Sequence, residues 1–251
     1  MSDCVILLKV ILLGDCYVGK SSLMQRYVTN KYKEDNYHTI GVEFLRKEIV
    51  VNNQRYLLQI WDTAGQEKYR SLRTPFYRGA DICVLTFSFD NVDSFDHLEV
   101  WWQEFLRYSG QENAKFPFIV FGNKCDLNME NVEEQRILDW CATHGESLKQ
   151  VAEFTKQKCS SLSAKEEVKI SDMTKKDSKV DQSNCTGFSW LQNGIPYLPT
   201  SAKENTNVDI GFSRAVQIWE QIHGYSDMID VQTSDVIKLR KPSILKRACC
   251  L

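Results

Sequence analysis

The chain has 251 residues, 43% hydrophobic and 25% charged, with a net charge of −2: enough for one full core, and too evenly balanced to suggest a nucleic-acid binder. Nine cysteines without a C-x-x-C pair give no metal-ligand spacing, and with no signal peptide they point to a reducing cytosol without disulfides. The best apolar run, VILLKVILL (5–13), is too short to cross a membrane and is broken by Lys9, so membrane attachment is expected to be post-translational.

Apolar runs alternate with helical patterns along most of the chain, the mark of an α/β layer fold with a mostly parallel sheet. LLKVILLG (7–14) reads as a buried strand and KSSLMQRYV (20–28) as a helix. Between them, Gly14 to Ser21 match G-x-x-x-x-G-K-S, a loop whose backbone amides close on phosphate oxygens at a helix N-terminus. The expected nucleotide contacts are therefore Gly14, Asp15, Cys16, Tyr17, Val18, Gly19, Lys20, Ser21 and Ser22, with Lys20 on the β- and γ-phosphates and the Ser21 hydroxyl on Mg2+. Thr39, in YHTIGVEF (37–44), is a second hydroxyl for Mg2+. It would reach the ion only while a γ-phosphate is present, which makes its loop an order–disorder switch.

RKEIVV and RYLLQIWD form a strand pair across a tight turn at Asn52-Asn53. WDTAGQE (61–67) follows: Asp62 holds the magnesium shell through water, Gly65 offers an amide to the γ-phosphate, and Gln66 orients an attacking water. ICVLTFS (82–88) and PFIVFGN (117–123) are further strands. Phe95, Leu98, Trp102 and Phe105 recur at helical spacing between them, read as core packing. NKCD (123–126) selects the base. Asp126 accepts from the paired N–H donors of guanine, which adenine lacks, while Asn123 and Lys124 brace the loop and the ring face.

From about 146 to 193 the sequence turns polar, with mixed charge and no sustained apolar period, which favours a solvated insertion over a second domain. It contains a decoy, LSAKEE (162–167). TSAKE (200–204) is preferred as the second base-side loop because it follows a credible strand, IPYLP (195–199), and precedes an amphipathic helix marked by Phe212, Ala215, Val216, Trp219 and Ile222. That choice assigns Ser201, Ala202 and Lys203 to the base, with the Ala202 amide on the guanine oxygen.

This set of motifs resembles the Ras-like small GTPases. TIGVEF, LQIWDTAGQE and FYRGAD resemble the Rab branch, and TNKY…HTIGVEFL, RSLRTPFYRGAD and IDVQTSDVIKLRKP are most similar to its late-endosomal members of endosome-to-trans-Golgi transport. The resemblance spans 7–145 and 194–250. It implies a P-loop small-GTPase fold, with a mostly parallel six-stranded sheet flanked by helices and a polar insertion before the last strand. A GTPase domain would cover 1–223 and a hypervariable tail 224–251. It further implies a GDP/GTP switch using Mg2+, with Tyr32 against the guanine ring and Phe44, Trp61 and Phe76 as the aromatic triad that effectors read. The implied partners are exchange factors, activating proteins, escort and GDP-dissociation-inhibitor proteins, and trafficking effectors, acting on a monomer. The terminal CCL lacks the single-prenyl box, since position 248 is alanine, and resembles the paired-cysteine endings that receive two geranylgeranyl groups, here on Cys249 and Cys250. Two lipids beside a basic stretch suit stable anchoring on the cytoplasmic face of late-endosomal or trans-Golgi membranes, with a cytosolic pool when the lipids are masked.

Two loop residues depart from that pattern. Cys16 stands where relatives commonly have glycine or serine and is near-isosteric with serine, so a modest effect is expected. Tyr17 either folds outward or loosens the loop and speeds release. The reading is a competent nucleotide binder with slow hydrolysis. The alternative is a non-hydrolysing, membrane-anchored scaffold, supported only by Cys16 and Tyr17 and opposed by Gln66 and Thr39. Asp126 opposes a P-loop kinase or ATPase.

Overall fold

The computed structural model describes residues 5–33, 39–110, 116–127, 131–145 and 194–227, with side chains up to 223. The polar segment 146–193, its decoy loop and Cys249-Cys250 lie outside the described residues. Six strands form one sheet in the order β2-β3-β1-β4-β5-β6. These are β1 (Ile6–Leu13), β2 (Val42–Val51), β3 (Gln54–Thr63), β4 (Ile82–Ser88), β5 (Phe118–Asn123) and β6 (Tyr197–Pro199). Only the β2–β3 pair is antiparallel. Asn52 and Asn53 both take positive φ, 46° and 62°, the backbone that a two-residue hairpin turn requires and that asparagine tolerates.

The near-continuous apolar runs of β1, β4 and β5 arise because both sheet faces are covered, so both sets of alternating side chains are buried. Leu8, Val10 and Leu12 face one core with Ile82, Val84, Ile119 and Phe121, under α1 (Lys20–Thr29) and the last helix, α6 (Val208–Asp227). Ile11 and Leu13 face the other with Cys83, Leu85, Phe87 and Val120, under α4 (Leu98–Ser109) and α5 (Glu134–His144). Helix α6 continues to Asp227, into the stretch assigned to the tail. Two short helices also lie among the described residues, α2 (Arg70–Arg73) and α3 (Val92–Asp96).

Two details differ from the sequence reading. Strand β2 starts at Val42 rather than near Arg46, because Val42, Glu43 and Phe44 continue the ladder with β3, with Phe44 opposite Trp61. The aromatic stripe is not one helix: α3 and α4 are separated at His97. With α4 starting at Leu98, its core face carries 98, 101 and 105, so Trp101 is 5% exposed while Trp102 lies half-buried at the flank. Parallel strands around β1 deliver their C-terminal loops to one edge, where open α/β sheets bind ligands.

Candidate nucleotide site

The loop between β1 and α1 wraps one wall of a cleft lined by Cys16, Tyr17, Gly19, Lys20, Ser21 and Ser22. Gly19 caps α1 at φ +93°, and a Cβ there would stand 2.2 Å from Asn123 Nδ2, so only glycine fits. Gly65 packs as closely from the opposite side: a Cβ would come within 2.4 Å of the Asp15 carbonyl carbon and 2.5 Å of Cys16 N. Lys20 is buried and donates through Nζ to Gly14 O at 2.7 Å and Asp15 O at 2.6 Å. Burial lowers its pKa, opposed by the Asp62 carboxylate.

Three oxygens converge beside this lysine. Ser21 Oγ donates to Asp62 Oδ2 at 2.5 Å, Thr39 Oγ1 donates to the same oxygen at 3.1 Å, and the two hydroxyls are 2.9 Å apart. Asp62 is fully buried, and its Oδ1 has no hydrogen-bond partner among the described residues. Burial pushes its pKa up, against Lys20 and the two hydroxyls. An orphaned carboxylate oxygen beside two hydroxyls fits a hard, oxygen-seeking divalent cation.

The base side assembles as a second wall from Tyr32, Lys124, Asp126, Ala202 and Lys203. Asn123 donates Nδ2 to Val18 O at 2.7 Å, tying the phosphate loop to β5. Its Oδ1 accepts from the Ala202 amide at 3.3 Å, so that amide, expected to serve the base, is directed at Asn123 here. Asp126 is half-buried in the cleft wall rather than enclosed, so a base edge would complete its burial. Ser201 is buried and shapes its turn by accepting from Glu204 N at 3.0 Å. Lys124 pairs with Asp90 at 2.8 Å, which depresses the Asp90 pKa through that hydrogen bond against its burial.

Thus loop 14–22, Thr39, Asp62, Gly65, Gln66, NKCD and TSAKE meet in one place. The contacts that hold them there carried no motif. Arg26 on α1 donates to Ala202 O and Lys203 O, both at 2.7 Å, and its guanidinium lies 5.9 Å from the Tyr32 ring. Asp15 is held by Trp101 Nε1 at 2.7 Å and His97 Nδ1 at 2.6 Å.

A sequence profile of the Ras family matches residues 9–221. The chain is 39% identical over 252 residues to Ras-related protein Rab-9B of Homo sapiens, covering all of both chains. It is 40% identical over 245 residues to Ras-related protein Rab-9A of Rattus norvegicus, 97% of each chain. Against GTP-binding protein YPTC5 of Chlamydomonas reinhardtii the identity is 50% over 211 residues, 82% of this chain and 79% of that one. The chain belongs to the Rab branch of the Ras family. It is a GTPase that uses GTP, GDP and Mg2+, and exchange factors, activating proteins, dissociation inhibitors and effectors act on proteins of its kind.

Neither departure in this Rab blocks its cleft. Burial pushes the Cys16 thiol up despite the pull of Lys20, so it is uncharged beside the phosphate position. Tyr17 is 59% exposed, turned outward, but at φ +63°. Away from the cleft, Phe44 stacks on Trp61 at 4.9 Å and Trp61 meets Phe76 at 5.4 Å, with Lys9 Nζ 4.9 Å from the Trp61 ring.

Proposed function

We propose that the cleft holds guanine nucleotide with its phosphates on residues 14–22 and its base between Tyr32, Lys124, Asp126 and the Ser201–Lys203 loop. The observation that carries this reading is the convergence of Ser21, Thr39 and the orphaned Asp62 carboxylate beside the buried Lys20. Ser21 and Thr39 would hold Mg2+ directly and Asp62 would hold it through water, and the ion would supply neutralisation of charge between the β- and γ-phosphates. Lys20 places a positive charge on the same oxygens. Gln66 and the Gly65 amide face the γ-phosphate side. Gln66 orients a water whose oxygen bonds to the γ-phosphorus as the bond to the β–γ bridging oxygen breaks, leaving GDP and phosphate.

Thr39 reports the γ-phosphate to the loop that carries it, and loss of the phosphate releases it. The triad Phe44, Trp61 and Phe76 stands at the edge of both nucleotide-sensing loops, so effectors that dock there read the bound nucleotide. Cys249 and Cys250 carry two geranylgeranyl groups, and the protein works on the cytoplasmic face of late-endosomal or trans-Golgi membranes, with a cytosolic pool held by escort and dissociation-inhibitor proteins. The non-hydrolysing scaffold is not favoured, since Cys16 is neutral and Tyr17 points outward. The test is single-turnover hydrolysis of bound GTP. Gln66→Leu should slow it at least about tenfold, 1.4 kcal/mol of barrier, without weakening GTP binding. An unchanged rate would remove Gln66 from the reaction.

A further inference from the structure

No residue of helix α4 lines the cleft among the described residues, yet the helix carries a buried charge whose partners lead into it. Glu104 and Arg73 each have 4% of their side chains exposed. Arg73 engages Glu104 through two nitrogens, Nε to Oε1 at 2.9 Å and Nη2 to Oε2 at 3.1 Å. Tyr77 donates its hydroxyl to the same Oε1 at 2.6 Å, and Arg70 reaches Oε2 at 2.9 Å. The Arg73 guanidinium also lies 4.3 Å from the Trp101 ring, which fixes its plane. Its remaining nitrogen, Nη1, donates to Gln66 O at 2.7 Å and, at 3.4 Å, to Ala64 O. Those carbonyls flank Gly65, the residue packed against Asp15 and Cys16.

A buried ion pair is not a cheap source of stability, because desolvation offsets most of its attraction and well-packed apolar residues often do as well. The pair does supply geometry. A guanidinium with rigidly placed donors, clamped by a bidentate carboxylate on one side, holds two backbone carbonyls on the other. Trp101 ties the same helix to the phosphate loop through Asp15. Residues 101 and 104, one turn apart, thus bind α4 to both halves of the reaction geometry.

We infer that Arg73 and Glu104 are positioning residues for GTP hydrolysis: Glu104 aims Arg73, and Arg73 fixes the backbone from which Gln66 orients the attacking water. This rests on the role of Gln66 given above. Removing the clamp leaves the contacts to GDP intact while the water-orienting side chain loses its fixed origin, and misplacement of about 1 Å can cost up to 100-fold in rate.

The test compares Glu104→Gln, Gln66→Leu and the combined variant in the full chain loaded with GTP and Mg2+. It follows single-turnover hydrolysis alongside release of a fluorescent GDP analogue. Glu104→Gln should lower hydrolysis about tenfold while GDP release stays within about twofold, and it should add nothing in the Gln66→Leu background, since both act through one group. Because Glu104→Gln leaves Arg73 poorly paired and can unfold the protein, Arg73→Met with Glu104→Met is the second variant. It keeps the packing without buried charge, and it too should hydrolyse slowly with normal GDP release. Wild-type hydrolysis in a folded variant, or hydrolysis and GDP retention falling together in both backgrounds, would overturn the proposal. Slow Gln66→Leu beside a wild-type Glu104→Gln would overturn the proposal alone. Wild-type hydrolysis by Gln66→Leu would overturn the role of Gln66 and the proposal with it.

Discussion

Tyr17 stands at φ +63°, where an L side chain crowds its own backbone at a cost of roughly 1–2 kcal/mol. Glycine at this position would remove that crowding, while the freer unfolded chain takes back about 0.5–1 kcal/mol. Tyr17 is 59% exposed, and what its ring contributes is lost equally in Tyr17→Ala, against which Tyr17→Gly is read. Tyr17→Gly should therefore stabilise the folded protein by about 0.5–1 kcal/mol, a rise in Tm of about 2–3 °C for a domain of this size. Tyr17→Ala is the control: it deletes the ring but keeps a Cβ at the same φ, and should gain nothing. Both are measured by thermal unfolding at one saturating concentration of GDP and Mg2+, because bound nucleotide adds its own stabilisation. An equal rise in both variants would place the effect in the ring rather than the backbone. A fall in Tm for Tyr17→Gly would refute the strain argument.

Three further outcomes follow from the site. Asp126→Ala removes two hydrogen bonds from a charged acceptor, each worth about 1.5–3 kcal/mol, so GDP affinity should fall at least about 100-fold and ADP should compete nearly as well; retained preference for GDP would contradict the base assignment. Cys83 and Cys141 are fully buried, with burial pushing the Cys141 thiol up to about 12 and raising Cys83 also, whereas Cys16 is only half-buried. Alkylation of the folded protein at pH 7.5 should therefore spare Cys83 and Cys141 and label Cys16, more slowly when GDP is bound. Peptide mass spectrometry reads this, and early labelling of Cys141 would show the α5 core to be open. The His97 pKa is raised, chiefly by its hydrogen bond to Asp15, with Asp93 and Asp96 adding to it and partial burial opposing. A raised histidine stabilises fully below its unfolded value of about 6.5 and loses that contribution as pH rises through its folded value. The Tm gap between wild type and His97→Gln should thus be widest near pH 6 and close with rising pH. It should stay below about 1 kcal/mol, because the imidazole is half-exposed and solvent screens the pair.

The motifs were legible because each packs its chemistry into a few consecutive residues at a strand end: the strand fixes the direction and the loop supplies the groups. The strands of the sheet were legible for the same local reason, as apolar runs of β length. What escaped was set by distant partners. Trp101 and Trp102 fit a helical stripe equally well, and only the break at His97 and the docking of Asp15, 86 positions away, put Trp101 inside. Arg26 looks like an exposed helix residue until Ala202, 176 positions on, folds beside it. Nothing nearby in sequence announces that Glu104 and Arg73, two charged residues, will be buried together. The direction of the Ala202 amide depends on Asn123 from another loop, which no single motif reveals.

The most direct test of the account is the identity of the nucleotide released when the purified full-length chain is denatured and its supernatant is separated by chromatography. A guanine switch that completes its cycle, with Cys16 neutral and Tyr17 turned outward, should release mostly GDP. An adenine nucleotide would contradict the base-side assignment, and persistent GTP would contradict a working Gln66 and show that the middle of GDCYVGKSS holds the protein on.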